Sequence, residues 1–406
     1  MATAQVGGAV VLQKDVSIEV RDKSLVRHGA IHHKDMRFKI ENPHNNVGNW
    51  EMSLSSEHPM APILRTPGSG IILYHKETEI TSGPTLKPEF TSVPSDPRGT
   101  LRFAGVTDDI LLADLLAWPL PTSANIADQI GLTDTREGFA ETLIHAFVSA
   151  NVGPLAPAAR RDERLVMGTD GSRGGNTKKS ATFDVLGELI GGIAKVADLG
   201  FRVVQRAGVL QFETYLIRDR TSEIRLDVLN GTLAAQRLTI NAPDLTHAIV
   251  IGKGRDKLAT DPADFKPPPS YQLYTTTESI QGEADWGRRV EKIVNATSTN
   301  DPAELQQAAL EELVDKGYTN VSVQVSPMDN SNMVFVDEWG VGDRVIVIVD
   351  GIEYTSFVSN FQMRVDDTGF YLGAGLGDPA DFDPQVALRK IVAQTGARIS
   401  ALERNG

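Results

Sequence analysis

The residues best suited to chemistry in this chain are the three histidines of HGAIHH: His28, His32 and His33. Their spacing is that of zinc ligands only on a helix, and the surrounding residues read as strand and loop. No carboxylate stands where a metalloprotease helix needs its base, and HExxH is absent. A solvated turn is the expectation there. Two glycine-rich stretches, GKGRDK (252–257) and GTDGSRGGN (168–176), have phosphate-loop composition. Neither fits GxxxxGK(S/T) or GxGxxG, and the second lacks the acidic spacing of a calcium loop. Both read as mobile loops. With no cysteine and no GxSxG elbow, thiolate and nucleophile-elbow chemistry are excluded. The 53 acidic residues contain chance pairs, none with an aromatic-lined setting, so a hydrolase remains an alternative only. A receptor-binding or carbohydrate-binding module is another. Its four tryptophans, Trp50, Trp118, Trp286 and Trp339, and 6% aromatics give little material for sugar stacking. The basic cluster Arg160, Arg161 and Arg164 is diluted by Asp162 and Glu163, as on a solvated face or a subunit salt-bridge site. No catalytic, metal or cofactor-binding residue is assigned, and no cofactor is expected.

A chain of 406 residues has room for two to four domains. With 41% hydrophobic residues it is expected to fold, and its net charge of −13 argues against a duplex-DNA reader. An acidic surface past which nucleic acid slides without sticking remains compatible. The N-terminus lacks a basic n-region, and no window reaches the roughly 20 apolar residues of a membrane span. A soluble chain made in the cytoplasm is expected.

The elements that would position any site begin with strands at 16–20, 36–41, 50–54, 70–75 and 100–105. NPHNN, TPGSG, TSGP and SDPRG read as the turns between them. A short helix over 108–118 ends before Pro119 and Pro121. Phe139, Ala140, Leu143, Ile144 and Phe147 form one helical stripe. Phe183, Leu186, Ile190, Ile193 and Ala197 form a second, with Gly200 as its C′ residue. Gly191-Gly192 costs that helix about 1 kcal/mol per glycine, which predicts a close contact in compensation. Residues 158–181 read as an exposed loop. A hairpin turns at Arg206-Ala207-Gly208, and a second is expected at Asn230-Gly231 within 224–240. Asp301, Pro302 and Glu304 predict a capping box that opens a helix ending at Gly317, with Leu305, Ala309 and Leu313 on one face. Strands return at 320–325, 344–349, 352–365 and 370–375, turning at Asp350-Gly351 and Thr368-Gly369. In the first strand of this meander Val345, Ile346, Val347, Ile348 and Val349 are apolar on both faces. One face is expected in a core and the other against a domain or subunit. Leu388, Val392, Thr395, Ile399 and Leu402 step as a heptad seam over 384–406, either a terminal core helix or a short oligomerising coil. No sequence repeat is visible.

Taken in order, GTLRFAGVTDD, LADLLAWPLP, TREGFAETLIHAFVSANVGPLAPAARR, LGFRVVQRAGVLQFE, IRDRTSEIRLDVLNGTL, APDLTHAIVIGKG, WGRRVEKIV and EWGVGDRVIVIV resemble tail-hub minor tail proteins of long-tailed phages, the actinobacteriophage type above all. The likeness spans most of 15–378. It implies a mixed β and α+β fold of two β-barrel-like domains, 15–115 and 221–252 with 319–378. An interleaved α/β domain would take 118–220 and 253–318. It also implies a non-enzymatic homotrimer at the virion tail tip, whose six barrels adapt a six-fold tube to a three-fold tip and close the DNA channel until host contact. Implied partners are the distal tail protein or tail tube above, the tip fibre or spike protein below, and the tape-measure protein. DNA would be met only in transit, with no membrane insertion by this chain. Any peptidase, lysozyme-like or fibre activity would belong to another protein.

Overall fold

The computed structural model describes residues 16–75, 78–93, 96–253, 274–296, 299–327, 335–336, 338–367 and 369–377. The heptad stripe Leu388, Val392, Thr395, Ile399 and Leu402 lies outside them, as do residues 254–257 of the GKGRDK stretch.

The N-terminal β region contains β1 (Val16–Arg21), β2 (Arg27–His32), β3 (Met36–Pro43), β4 (Asn49–Ser55), the single turn α1 (Ala61–Leu64), β5 (Gly70–His75), β6 (Thr78–Val93) and β7 (Asp96–Val106). Two of these strands depart from expectation. HGAIHH is no turn: most of it is edge strand β2, paired with β1 and burying Ile31. TSGP is likewise inside β6. That strand pairs β5 up to Pro84 and β7 from Thr85 onward. Gly83 sits at the changeover because a Cβ there would fall 1.8 Å from the Val106 carbonyl oxygen. The turn-like composition marks a bend in one strand.

The next region holds α2 (Ile110–Ala113), β8 (Leu116–Ala117), β9 (Asp134–Phe139), α3 (Ala140–Asn151), β10 (Leu165–Met167), β11 (Asn176–Ala181), β12 (Asp184–Val185), α4 (Leu186–Val196), β13 (Leu199–Arg206) and β14 (Val209–Leu216). The 158–181 stretch therefore carries two strands: β10 runs parallel to β14, and β11 pairs antiparallel with β9. Helix α4 stops earlier than Gly200. Asp198 takes the left-handed conformation, φ 53°, which aspartate tolerates better than most residues. Gly200 lies in β13, where the Tyr215 ring occupies the place of a Cβ. The apolar faces of α3 and α4 and the β13–β14 hairpin form one buried cluster with Val106 and Leu112.

The remaining elements are β15 (Arg218–Asp219), β16 (Arg225–Leu226), β17 (Leu233–Asn241), β18 (His247–Gly252), β19 (Tyr274–Glu278), α5 (Ile280–Trp286), β20 (Glu291–Ala296), α6 (Pro302–Lys316), β21 (Asn320–Pro327), β22 (Asp343–Val349), β23 (Ile352–Asp366) and β24 (Gly369–Leu376). The β22–β23–β24 meander is as expected, with Asp350 and Gly351 both at positive φ. Asn230-Gly231 makes no hairpin. Its flanking strands part, β16 joining β22 and β17 joining β21. Helix α6 opens with Asp301 capping the Ala303 N–H, but Glu304 bonds Ser180 instead of closing a capping box. Segment 221–252 also divides, because β18 pairs with β19 and β20. That three-stranded sheet and α6 enclose a separate small core around Leu245, Val250 and Leu305.

Pairing joins both β regions into a fourteen-stranded sheet with the path β17-β21-β24-β23-β3-β4-β7-β6-β5-β1-β2 and β22 on β23. The path contains an internal repeat. Strands β3, β4, β5, β6 and β7 connect as β17, β21, β22, β23 and β24 do, in the same chain order. Strands β6 and β23 are both long, each pairs one partner with its first half and another with its second, and each carries a bulge at the changeover. The short loop from Pro43 to Asn49 corresponds to residues 242–319, so the unit from β18 to α6 is inserted where the first module has a tight connection. The buried side chains of both modules form one hydrophobic cluster.

Candidate functional site: the joints between modules

The contacts that hold the parts of the chain together form the candidate site. The first joint is main-chain pairing of β23 with β3, from Asn360 opposite Pro43 to Val365 opposite Phe38. Phe38, Ile40, Met363 and Val365 are buried across it.

The second joint is a buried polar network between the first β module and the β13–β14 hairpin. The Arg21 guanidinium forms a two-pronged pair with Asp108, at 2.5 and 2.8 Å, and donates to Gln205 Oε1 at 3.0 Å. Ser82 donates to Asp108 and accepts from the Gln205 N–H. Gln205 Nε2 reaches the Leu25 carbonyl. Every member is nearly inaccessible to water. Next to it Asp109 accepts from the Val203 N–H at 2.7 Å and from the Thr107 hydroxyl at 3.0 Å. Burial nevertheless pushes its carboxyl up to about 7, with Asp108 adding to the rise and Arg202 opposing it.

A pH dependence follows. An unfolded aspartate titrates near ~3.9, so the fold holds a proton that the unfolded chain releases between about pH 4 and 7. The raised pKa means this contribution is complete below pH ~4 and is lost as pH rises through about 7, by up to about 4 kcal/mol. Asp109→Asn keeps an acceptor for Val203 and cannot ionise. Urea unfolding between pH 5 and 8 should show the variant gaining on the parent as pH rises. A pH-independent difference would refute this.

The third joint binds the hairpin to the β3–β4 loop of the first module, whose His44 packs edge-on against Phe357, and to the second β module. The Tyr215 hydroxyl and Nδ1 of buried His44 share a hydrogen bond, and burial drives the His44 pKa down to about 3, leaving it neutral. Arg218 makes a two-pronged pair with Asp343, and Arg344 pairs with Asp198. The apolar strand is thus held at its start. Val345 and Val347 lie in the shared core, Ile346 is buried, and Ile348 and Val349 are half-buried.

The fourth joint attaches the inserted unit. Lys178 and Lys179 on β11 pair with Asp301, the cap of α6, and with Glu311 within it, and Ser180 donates to Glu304. The predicted close contact at the double glycine is here: a Cβ on Gly192 would stand 2.8 Å from the Glu311 carboxylate. A cavity of about 650 Å³ lies in this seam between α4, α6 and the third joint. This joint is made by polar bonds beside a cavity.

Other sequence candidates have structural partners. The 168–176 stretch is anchored, since Arg173 binds the fully buried Glu141 carboxylate through its side chain and its own N–H. That pairing pulls the Glu141 pKa down to about 2. Arg160 stacks on Trp118 and donates to the Leu116 carbonyl, Arg161 caps Ala156, and Arg164 binds Asp162 and Lys23 O. These arginines hold their own loop in place. His28 bonds Asp22, and among the described residues no three His, Asp or Glu are grouped to hold a metal ion. No described helix is long and apolar enough to cross a membrane.

Sequence reasoning missed the Arg21–Asp108 network, because its members lie 87 and 184 residues apart. The strand pattern gave no signal of it, since Arg21 falls on the polar phase of VSIEVR and only the folded structure buries it.

Comparison with known proteins agrees with the architecture. The family model for the Siphovirus ReqiPepy6 Gp37-like protein matches residues 17–378. No curated protein matches. Among solved structures, a tail protein from Neisseria meningitidis MC58 is 12% identical with a TM-score of 0.54, over 91% of this chain and 98% of that one. The prophage tail protein gp18 from Listeria monocytogenes EGD-e is 11% identical with a TM-score of 0.54, over 93% and 98%. The 43 kDa tail protein of prophage MuSo2 from Shewanella oneidensis is 10% identical with a TM-score of 0.52, over 90% and 100%. At such identities the likeness speaks for the fold. With nearly the whole described chain matched, the protein belongs to the siphovirus ReqiPepy6 Gp37-like family and carries the mixed β and α+β fold of phage tail proteins.

Proposed function

We propose that the protein is a structural, non-enzymatic hub at the distal end of a phage tail tube. It acts as a homotrimer that adapts six-fold to three-fold symmetry and closes the DNA channel until host contact. The observation that carries this reading is the internal repeat: two β modules of one topology, side by side in one chain and sharing a main-chain joint. Three such chains present six similar modules upward and three chains downward, which is the arithmetic of a symmetry adaptor. The modules are the two barrel-like domains of the hub. The distal tail protein or tube would lie above, the fibre or spike below, and the tape-measure protein within. Opening would be a separation of subunits at the tip, with interface free energy as its barrier. Val345–Val349 serve as module core in this reading, and the heptad residues Leu388, Val392, Thr395, Ile399 and Leu402 as a trimerising coil.

Native mass measurement on the purified full chain tests the proposal. A species of three times 44.0 kDa is expected. A strict monomer at the highest attainable concentration overturns it.

A further inference from the structure

The repeat that supports a ring also points to the strands that would close it. Within the chain, the second half of β23 has β24 on one side and β3 on the other. Its counterpart, the second half of β6, has β7 on one side and, among the described residues, no strand on the other. The counterpart of β3 is β17, which ends the sheet with β21 as its sole strand partner among the described residues. Among the described residues the chain therefore carries both halves of its own joint a second time, unjoined, at separate places in the sheet. Such a surface is heterologous: one copy's β6 fits the next copy's β17, not its own.

Of the two edges, β17 has the chemistry of a joint, while β6 carries Lys87, Pro88 and Glu89 beside exposed Phe90. β17, LAAQRLTIN, has no proline or lysine and a single charged residue across nine positions. Solitary sheet edges are normally blunted by such residues. Phe90 on β6 is 50% exposed although it shares a face with core residue Leu101, and Ile240 on β17 is 45% exposed. At the intrachain joint the corresponding face is filled, with Met363 and Ile40 buried opposite each other. Pro88 brings no N–H to either neighbour, yet the intrachain joint also includes a proline, Pro43.

We infer that copies of this chain assemble by antiparallel pairing of residues 87–92 of β6 with residues 236–241 of β17 in the adjacent copy. This rests on the hub proposal and names the seam. The matching bulges at Thr85/Lys87 and Val358/Asn360 transfer the register of the intrachain joint. Lys87 then faces Asn241, Phe90 faces Leu238 and Thr91 faces Arg237. Phe90 and Ile240 become covered on the core side. On the other side Glu89 lies diagonal to Arg237, within reach of long opposite-charged side chains.

The cysteine-free chain permits a direct test with Thr91→Cys/Arg237→Cys. Paired Cα atoms lie about 4.5–5.5 Å apart, inside the window for a disulfide. Oxidation of the full-length double variant should yield covalent oligomers up to the native assembly, and neither single variant should do so. A companion variant, Phe90→Lys, should raise the dissociation constant at least ~10-fold while the circular dichroism of the monomer stays unchanged. An assembly of trimer mass that neither cross-links nor weakens in Phe90→Lys overturns the seam and leaves the hub proposal standing. A monomer in every condition overturns both.

Discussion

Arg21→Ala is expected to cost about 3–5 kcal/mol of unfolding free energy, the usual penalty for breaking a buried ion pair from one side. The Arg21 and Asp108 side chains are 4% and 5% exposed, so the abandoned carboxylate has no route to bulk water. Ser82 would remain as its donor, a neutral hydroxyl in place of a guanidinium. Gln205 would lose a partner for Oε1 as well. Because these groups join β1, the end of β7 and β13, the loss should loosen the hairpin from the first module rather than melt either alone. Hydrogen exchange in β13 should therefore accelerate more than exchange in β4. Replacing both ions by apolar residues, Arg21→Met with Asp108→Leu, should restore much of the stability, since no charge is then stranded. Urea unfolding of the three variants decides the matter. A cost below ~1 kcal/mol for Arg21→Ala would show that the pair does not hold the joint.

What the sequence disclosed depended on how local the determining interaction was. Helix α6 could be located because its cap, its proline and its apolar face lie within one stretch. The β22–β23–β24 meander was legible because Asp350-Gly351 marks a turn that φ > 0 requires. Strand β6 was hidden by Gly83, Pro84 and Pro88, which look like punctuation and are a bend. The internal repeat was hidden twice over. Its equivalent residues share burial rather than identity, as with Trp50 and Val323, and residues 242–319 interrupt the second copy. The joints were least legible, because Arg21, Asp108 and Gln205 meet only in the folded sheet. Motif order carried the family resemblance without any of this, since order survives where single residues do not.

The repeat makes Val345→Asp more than a test of one strand. Val345 is fully buried in the core shared by both modules. An aspartate there forfeits the packing of a valine and places a carboxylate where no donor awaits it. A loss above ~4 kcal/mol is expected, enough to leave the chain unfolded or insoluble. Ile348→Asp, on the half-buried face of the same strand, should cost much less. By the strand correspondence, Val345 opposite Ser356 matches Ile71 opposite Gly83 in the first module. Ile71 is 1% exposed and belongs to the same cluster, so Ile71→Asp should be as damaging as Val345→Asp. Thermal unfolding and soluble yield of the three variants give the readout. Equal, severe losses at Val345 and Ile71 with a mild one at Ile348 fit two modules of one plan sharing a core. A soluble Val345→Asp variant with unchanged thermal midpoint would contradict the core assignment. A severe loss at Val345 alone would instead separate the modules energetically and weaken the case that one chain supplies two equivalent positions in a ring.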